Sequence, residues 1–192
     1  MKLVILDRDG TINADSDEFI KSPQEWTPLP GALEAIARLN HAGWHCVIAS
    51  NQSGLGRGLF DVASLNAMHA KMHKLLSAHG GRIDAVFYCP HSADENCNCR
   101  KPLPGLFEQI GERFGVELKG TPVVGDSLRD LQAGVLAGCE PHLVLTGKGA
   151  ALRGRPLPES FPVGTRVHED LAAFADALIA RQAAANTKAP AA

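Results

Sequence analysis

Two carboxylates, Asp7 and Asp9, stand two residues apart where the apolar run 3–6 ends, and Gly10 lets the chain turn sharply behind them. Acids so placed can attack an electrophile, exchange a proton or hold a cation. The same spacing occurs in Asx turns and calcium loops, but here it directly follows a hydrophobic strand, which favours catalysis. A second set is of another kind. Cys89, His91, Cys97 and Cys99 put four soft or borderline ligands in one short loop, the number and type that tetrahedral Zn²⁺ takes. Four protein ligands leave no open coordination position, so zinc here is expected to be structural, stiffening the loop and fixing the adjacent Arg100 and Lys101. The alternative is a set of free thiols. Cys46 lies inside an apolar run and Cys139 follows a helical pattern, so both are expected to pack in the core. His69 and His73 are four residues apart on a helical pattern, but no third ligand accompanies them and Lys71 and Lys74 lie close by, so they are read as a solvated helix edge.

Several elements must position these residues. Short β-rich runs at 3–6, 45–49, 85–88, 122–124 and 142–145 alternate with amphipathic stretches. After Pro30, Leu33, Ile36, Ala37 and Leu39 share one helical face that stops at Gly43. A second helix is predicted from an Asp61 N-cap, with Val62, Leu65, Met68, Met72, Leu75 and Leu76 as its stripe. Further helices are predicted near 104–114, 128–137 and 169–182. The alternation predicts the α/β class, an open parallel sheet with helices on both faces. Ligands of such sheets bind beyond the carboxyl ends of the strands. The first run delivers Asp7 and Asp9 there, the second Ser50 and Asn51, the third the cysteine loop and the fourth Asp126. The roughly 50 residues between Ser50 and Lys101 are taken up by one helix, one strand and the cysteine loop, leaving no room for a large cap domain. An open site shaped by loops at 13–30 and 52–60 is therefore expected.

The 192 residues are 45% hydrophobic and 21% charged, ordinary globular usage that predicts one domain over 1–182. The run AAANTKAPAA at 183–192 has no apolar periodicity and is expected to be a flexible tail. A net charge of −2 with dispersed Lys and Arg gives no footprint for nucleic acid or an anionic membrane. The opening MKLVIL is too short for a signal-peptide core or a membrane span, so a cytoplasmic location is expected.

The segment LDRDGT, the run SNQSG at 50–54, Lys101 and GDSLRD at 125–130 resemble the four ordered motifs of haloacid dehalogenase (HAD) superfamily phosphatases, and they span nearly the whole folded chain. That resemblance implies a HAD-like Rossmannoid fold and Mg²⁺-dependent hydrolysis of a phosphomonoester. It implies that Asp7 attacks phosphorus to form an aspartyl-phosphate, while Asp9 first protonates the leaving alcohol and then activates water. It further implies Mg²⁺ held by the Asp7 carboxylate, the Asp9 carbonyl and the Asp126 carboxylate. A carboxylate approaching a phosphate dianion meets two repulsive pairs, each about 4 kcal/mol at about 4 Å in an effective dielectric near 20, so cations are required. Lys101 is the expected second cation, able to touch both phosphate and Asp7. Ser50, where many members carry threonine, is expected to donate its hydroxyl to the phosphoryl oxygens, with Asn51 and Gln52 as further donors. Asp130 either orients Lys101 or a water beside the metal, or serves as a helix N-terminal charge that complements the dipole.

The runs LDRDGTIN, SNQSG, YCPH and CNCRKP, together with the zinc loop, are similar to the HAD group that contains the heptose-1,7-bisphosphate 7-phosphatases and histidinol-phosphate phosphatases, and most of all to its heptose members. This implies removal of a 7-phosphate from a phosphorylated sugar during nucleotide-heptose synthesis for a lipopolysaccharide core or surface glycan. Arg100 is then expected at the distal phosphate, where a planar guanidinium can form paired hydrogen bonds. Asp15, Ser16, Asp17 and Glu18 are expected along the sugar, with Arg8, Ser53 and Ser127 as further substrate contacts. Ser127 departs from the lysine that many heptose members carry directly after the motif aspartate. Two other readings remain: histidinol-phosphate hydrolysis, and a zinc-stabilised binding module with a vestigial catalytic pattern. A monomer is expected.

Overall fold

A computed structural model describes residues 1–188. Strands β1 (Leu3–Leu6), β2 (His45–Asn51), β3 (Ala85–Cys89), β4 (Pro122–Gly125), β5 (Glu140–Val144) and β6 (Arg166–His168) form one sheet in the order β3-β2-β1-β4-β5-β6. Every neighbouring pair is parallel. The chain winds outward from β1 to β3, returns to the centre at β4 and winds out the other way. The direction reverses between β1 and β4, where a crevice opens beyond the strand ends.

Helices α1 (Ala32–His41), α2 (Ser53–Gly56), α3 (Val62–Ala78), α4 (Gly105–Phe114), α5 (Leu128–Leu136) and α6 (Leu171–Lys188) cover the two faces. Successive strand side chains alternate, so β1 feeds both cores. Val4 and Leu6 pack with Ile36 of α1, Met68 and Met72 of α3 and Phe174 of α6. Leu3 and Ile5 pack with Phe107 and Ile110 of α4 and Ala133 of α5. Burial on both sides is why these strands read as unbroken apolar runs. The Asp61 carboxylate accepts the Ser64 N–H at 2.7 Å and starts α3 as predicted. Gly115, at φ 63°, ends α4 in the left-handed conformation that glycine adopts without strain. Cys46 and Cys139 are buried core residues, as expected.

Several boundaries differ from the sequence reading. β5 starts at Glu140 rather than 142 and ends at Val144. Val62 of the predicted stripe is exposed. β6 was not foreseen, because a three-residue edge strand of mostly polar residues carries no apolar run; its pairing with β5 makes it a strand. α2 forms inside the expected 52–60 loop. α6 runs past the boundary drawn at 182 to Lys188, so 183–188 are helical rather than a loose tail. Alanine is the best helix former, and lengthening an existing helix adds a hydrogen bond per residue with no new nucleus. The rest of the expected tail, 189–192, lies outside the described residues. Between Ser50 and Lys101 the chain builds α2, α3, β3 and the cysteine loop, with no inserted cap. No described helix is long and apolar enough to cross a membrane.

Candidate active site

Asp7 leaves β1 and Asp126 leaves β4, the two strands that flank the crevice, and the Asp7 N–H donates to Val124 O at 2.8 Å. A cleft of about 240 Å³ opens here. Carboxylate oxygens of Asp7, Asp126 and Asp130 lie within 4.8 Å of one another, all in buried residues. Among the described residues, Lys101 supplies the one ammonium in contact with them. Its Nζ donates to Asp7 Oδ1 at 2.7 Å and Ala49 O at 2.8 Å, and pairs with Asp130 Oδ1 at 2.6 Å, which engages all three of its protons.

Three acids against one lysine leave the cluster short of positive charge. Burial, with the Asp130 charge adding and Lys101 subtracting, pushes the Asp7 carboxyl up to about 7. Burial and the charges of Asp7 and Asp130 push Asp126 up to about 8. Burial opposes the charges of Lys101 and Asp130 as well, but their mutual contact outweighs it, holding the lysine above and the aspartate below its ordinary value. A further cation is what lets Asp7 and Asp126 ionise together, and two hard carboxylate oxygens suit a divalent ion such as Mg²⁺. The backbone leaves room: Gly10 and Gly147 have φ of 85° and 49°, and a Cβ on either would run into the Asp126 carboxylate. Lys148 N donates to Asp126 Oδ2 at 2.7 Å and Thr146 Oγ1 to Gly10 O at 2.6 Å, so the corner after β5 braces the cluster. Sequence reasoning missed that corner; its available signal was Gly-Lys-Gly just beyond the fifth apolar run.

Asp9 opens on the same cleft but is held by other groups. Arg8 Nε and Nη2 donate to its two oxygens at 3.0 and 2.9 Å, Asn13 Nδ2 at 2.8 Å and Gln52 Nε2 at 2.9 Å. Burial works against the Asp9 charge, yet these donors outweigh it and hold the carboxyl below its usual value. Gln52 Nε2 also donates to Ser50 Oγ at 2.8 Å, tying the second strand end to the first. Arg8 was expected to touch substrate. Instead it is fully buried and does not line the cleft, because a residue between two cleft-facing acids on an extended exit points the other way. Its Nη1 lies 3.4 Å from His69 Nε2, so His69 packs on the arginine rather than on a solvated helix edge. Burial and the Arg8 charge push the His69 imidazole down to about 4, leaving a neutral ring that can accept from the guanidinium.

The structure brings the other expected residues together unevenly. Asp15, Ser16, Asp17, Ser50, Ser53, Arg100 and Ser127 line the cleft; Glu18 is exposed and does not. Asn51 lines it too, and its side-chain amide also grips the Lys101 backbone, accepting from N at 3.0 Å and donating to O at 3.1 Å. It holds the Lys101 backbone in place with its oxygen and one N–H, leaving the second N–H of its amide as a donor. Asp130 makes two sets of contacts: besides pairing with Lys101, its Oδ2 accepts the Ser127 N–H at 3.0 Å and hydroxyl at 2.6 Å at the start of α5. Phe19, Arg57, Arg129 and Lys148 also line the cleft and were not singled out from the sequence. Phe19 stands at φ 65°, a strained conformation for a bulky residue, and Arg57 lies over its ring at 5.7 Å.

In the cysteine loop, Cys89 Sγ is 3.6 Å from Cys97 Sγ and 3.5 Å from His91 Nδ1, and His91 Nδ1 is 3.3 Å from Cys99 Sγ. Tetrahedral zinc with its usual bond lengths puts two sulfurs about 3.8 Å apart and a sulfur and nitrogen about 3.5 Å apart, close to this spacing. None of the four is used in a disulfide. Arg100 Nη1 donates to His91 O at 3.2 Å, so the loop carries that arginine to the cleft.

A family model described as HAD-hydrolase-like matches residues 98–173, and one described as polynucleotide kinase 3 phosphatase matches 2–128. The chain is 59% identical over 179 residues to the D-glycero-beta-D-manno-heptose-1,7-bisphosphate 7-phosphatase of Bordetella bronchiseptica, covering 93% of this chain and 98% of that protein. It is 52% identical to the Pseudomonas aeruginosa protein of the same name, covering 92% and 97%. The crystal structure of D,D-heptose 1,7-bisphosphate phosphatase from B. bronchiseptica, complexed with magnesium and phosphate, matches with a TM-score of 0.88 and 58% identity over 94% of this chain and 99% of that one. Likeness of this degree along nearly the full length of both chains decides the relationship: this chain belongs to the D-glycero-beta-D-manno-heptose-1,7-bisphosphate 7-phosphatase family of HAD-like hydrolases.

Proposed function

We propose that the chain is an Mg²⁺-dependent phosphomonoesterase that removes the 7-phosphate of D-glycero-D-manno-heptose 1,7-bisphosphate through an aspartyl-phosphate on Asp7. The observation that carries the chemistry is the buried cluster in which Asp7 meets Lys101 at 2.7 Å beside Asp126 and Asp130. Magnesium, held by the Asp7 and Asp126 carboxylates and the Asp9 carbonyl, supplies when bound the charge that offsets repulsion between carboxylate and phosphate. Lys101 adds a fixed positive charge against Asp7, kept in place by Asn51 and Asp130. An Asp7 oxygen attacks phosphorus and the bond from phosphorus to the sugar oxygen breaks, the leaving oxygen taking a proton from Asp9. Asp9, held as a carboxylate by Arg8, gains that proton more readily once a phosphate dianion sits beside it, since a like charge favours the neutral form. Water then attacks phosphorus, Asp9 takes back a proton, and inorganic phosphate leaves with the Asp7 carboxylate restored. Ser50 donates to the phosphoryl oxygens, and residues 15–17 meet the sugar.

The four ligands Cys89, His91, Cys97 and Cys99 hold structural Zn²⁺, and Arg100 meets the phosphate that stays on the sugar. A cytoplasmic monomer acting in the supply of nucleotide-activated heptose completes the reading. The test is kcat/KM on both anomers of heptose 1,7-bisphosphate, on histidinol phosphate and on a 3′-phosphorylated oligonucleotide. A heptose anomer is expected to lead by at least about tenfold, or about 1.4 kcal/mol in transition-state binding. A clear preference for histidinol phosphate or for the oligonucleotide overturns the substrate assignment.

A further inference from the structure

The cleft carries more positive charge than the chemistry at Asp7 uses. Arg100 and Arg129 line it and also line a neighbouring cavity of about 360 Å³, so they stand on the wall between the two. Near the cleft the ion pairs among described residues join Lys101 to Asp7 and Asp130, Arg8 to Asp9, and Lys148 to Asp15; Arg129 is in none of them. Its neighbour Asp130 turns away onto Lys101 and Ser127. The fold itself gives no reason for a cation here. Arg129 is the second residue of α5, where the positive end of the helix dipole disfavours it, and its side chain is exposed rather than packed. An unfavourable, unpaired charge aimed at a cleft is a common sign of stability given up for function.

We propose that Arg129 is a specificity-determining residue that works with Arg100 to grip the substrate's second phosphate while the first lies at Asp7. The inference rests on the bisphosphate reading above. Two planar guanidinium forks offer paired N–H donors to phosphate oxygens, and Arg100 is held in place through His91 O. A monophosphate leaves both arginines in water, so their contacts distinguish the two substrates.

The experiment compares kcat/KM for heptose 1,7-bisphosphate with that for heptose 7-phosphate in wild type, Arg129→Ala and Arg129→Lys. The ratio cancels any change in the fraction of folded enzyme. Arg129→Ala is expected to lower it by roughly tenfold to a hundredfold, the range of one charge-assisted contact, with Arg129→Lys between. A ratio unchanged within about twofold in Arg129→Ala overturns the inference, even if both substrates slow together. A wild-type enzyme with no preference for the bisphosphate sinks both readings; a wild-type preference that survives Arg129→Ala sinks this one alone.

Discussion

Replacing Lys101 with methionine tests whether one ammonium balances the buried acid cluster. Nζ touches Asp7 at 2.7 Å and Asp130 at 2.6 Å, and the side chain is 3% exposed. At an effective dielectric near 20 each contact is worth roughly 6 kcal/mol before desolvation. Taking an ammonium out of water returns several kcal/mol of that, and breaking a buried pair from one side leaves a net loss of about 3–5 kcal/mol. Asp130 loses the charge that holds its carboxyl down, so part of the loss is relieved by proton uptake, and the damage should be larger at pH 8 than at pH 6. The double variant Lys101→Met with Asp130→Asn removes the charge pair together and should be more stable than the sum of the single losses, by at least about 1 kcal/mol. Urea unfolding without added Mg²⁺ at both pH values measures all of this. Single losses that simply add, or a Lys101→Met variant within about 0.5 kcal/mol of wild type, would refute the reasoning.

Other consequences are open to direct measurement. Asp7 at about 7 and Asp126 at about 8 lie above their unfolded value of 3.8, so between about pH 4 and pH 8 the fold keeps protons that the unfolded chain has released. Metal-free protein should therefore lose stability as pH rises through that window, while Asp9 and Asp130, shifted the other way, matter only below it. Mg²⁺ should raise the thermal midpoint more at pH 8 than at pH 6; equal gains would contradict the assignment of those two carboxylates. The wild-type chain is expected to bind one zinc, and Cys97→Ser should lower that content and reduce turnover of the bisphosphate more than that of a simple aryl phosphate, because Arg100 hangs from the same loop. Gly147→Ala meets both a φ of 49° and the Asp126 carboxylate, so a titration of activity against Mg²⁺ should show a half-saturation point at least about tenfold higher.

The strand ends and the residues just past them were legible in the sequence because burial on both faces writes each strand as an apolar run, and acids directly after such a run have few structural reasons to be there. The cluster of Cys89, His91, Cys97 and Cys99 was legible as a candidate metal site because all four sit in one loop, so no tertiary contact had to be guessed. What the sequence hid depends on contacts between distant segments. Arg8 looked like a substrate contact until strand alternation turned it inward against Asp9 and His69. Asn51 was read as a phosphate donor, and the sequence hid that its amide also grips the backbone of a residue 50 positions on. The brace formed by residues 146–148 depends on β5 lying beside β4, which no local pattern announces. β6 exists only by pairing, and α6 is extended by alanines that lack amphipathic periodicity yet favour the helix.

The central claim is that phosphorus is handed to Asp7 before it reaches water. Wild type and Asp9→Asn, which lacks the group that activates water, should each be mixed with heptose bisphosphate and Mg²⁺, quenched in acid within a turnover, and their peptides weighed. The peptide holding Asp7 should carry one added phosphoryl group, reducible by borohydride, and the group should be missing from Asp7→Asn treated alike. Release of phosphate by wild type with no phosphorylated protein in either sample, or with the group on another residue, would contradict the account.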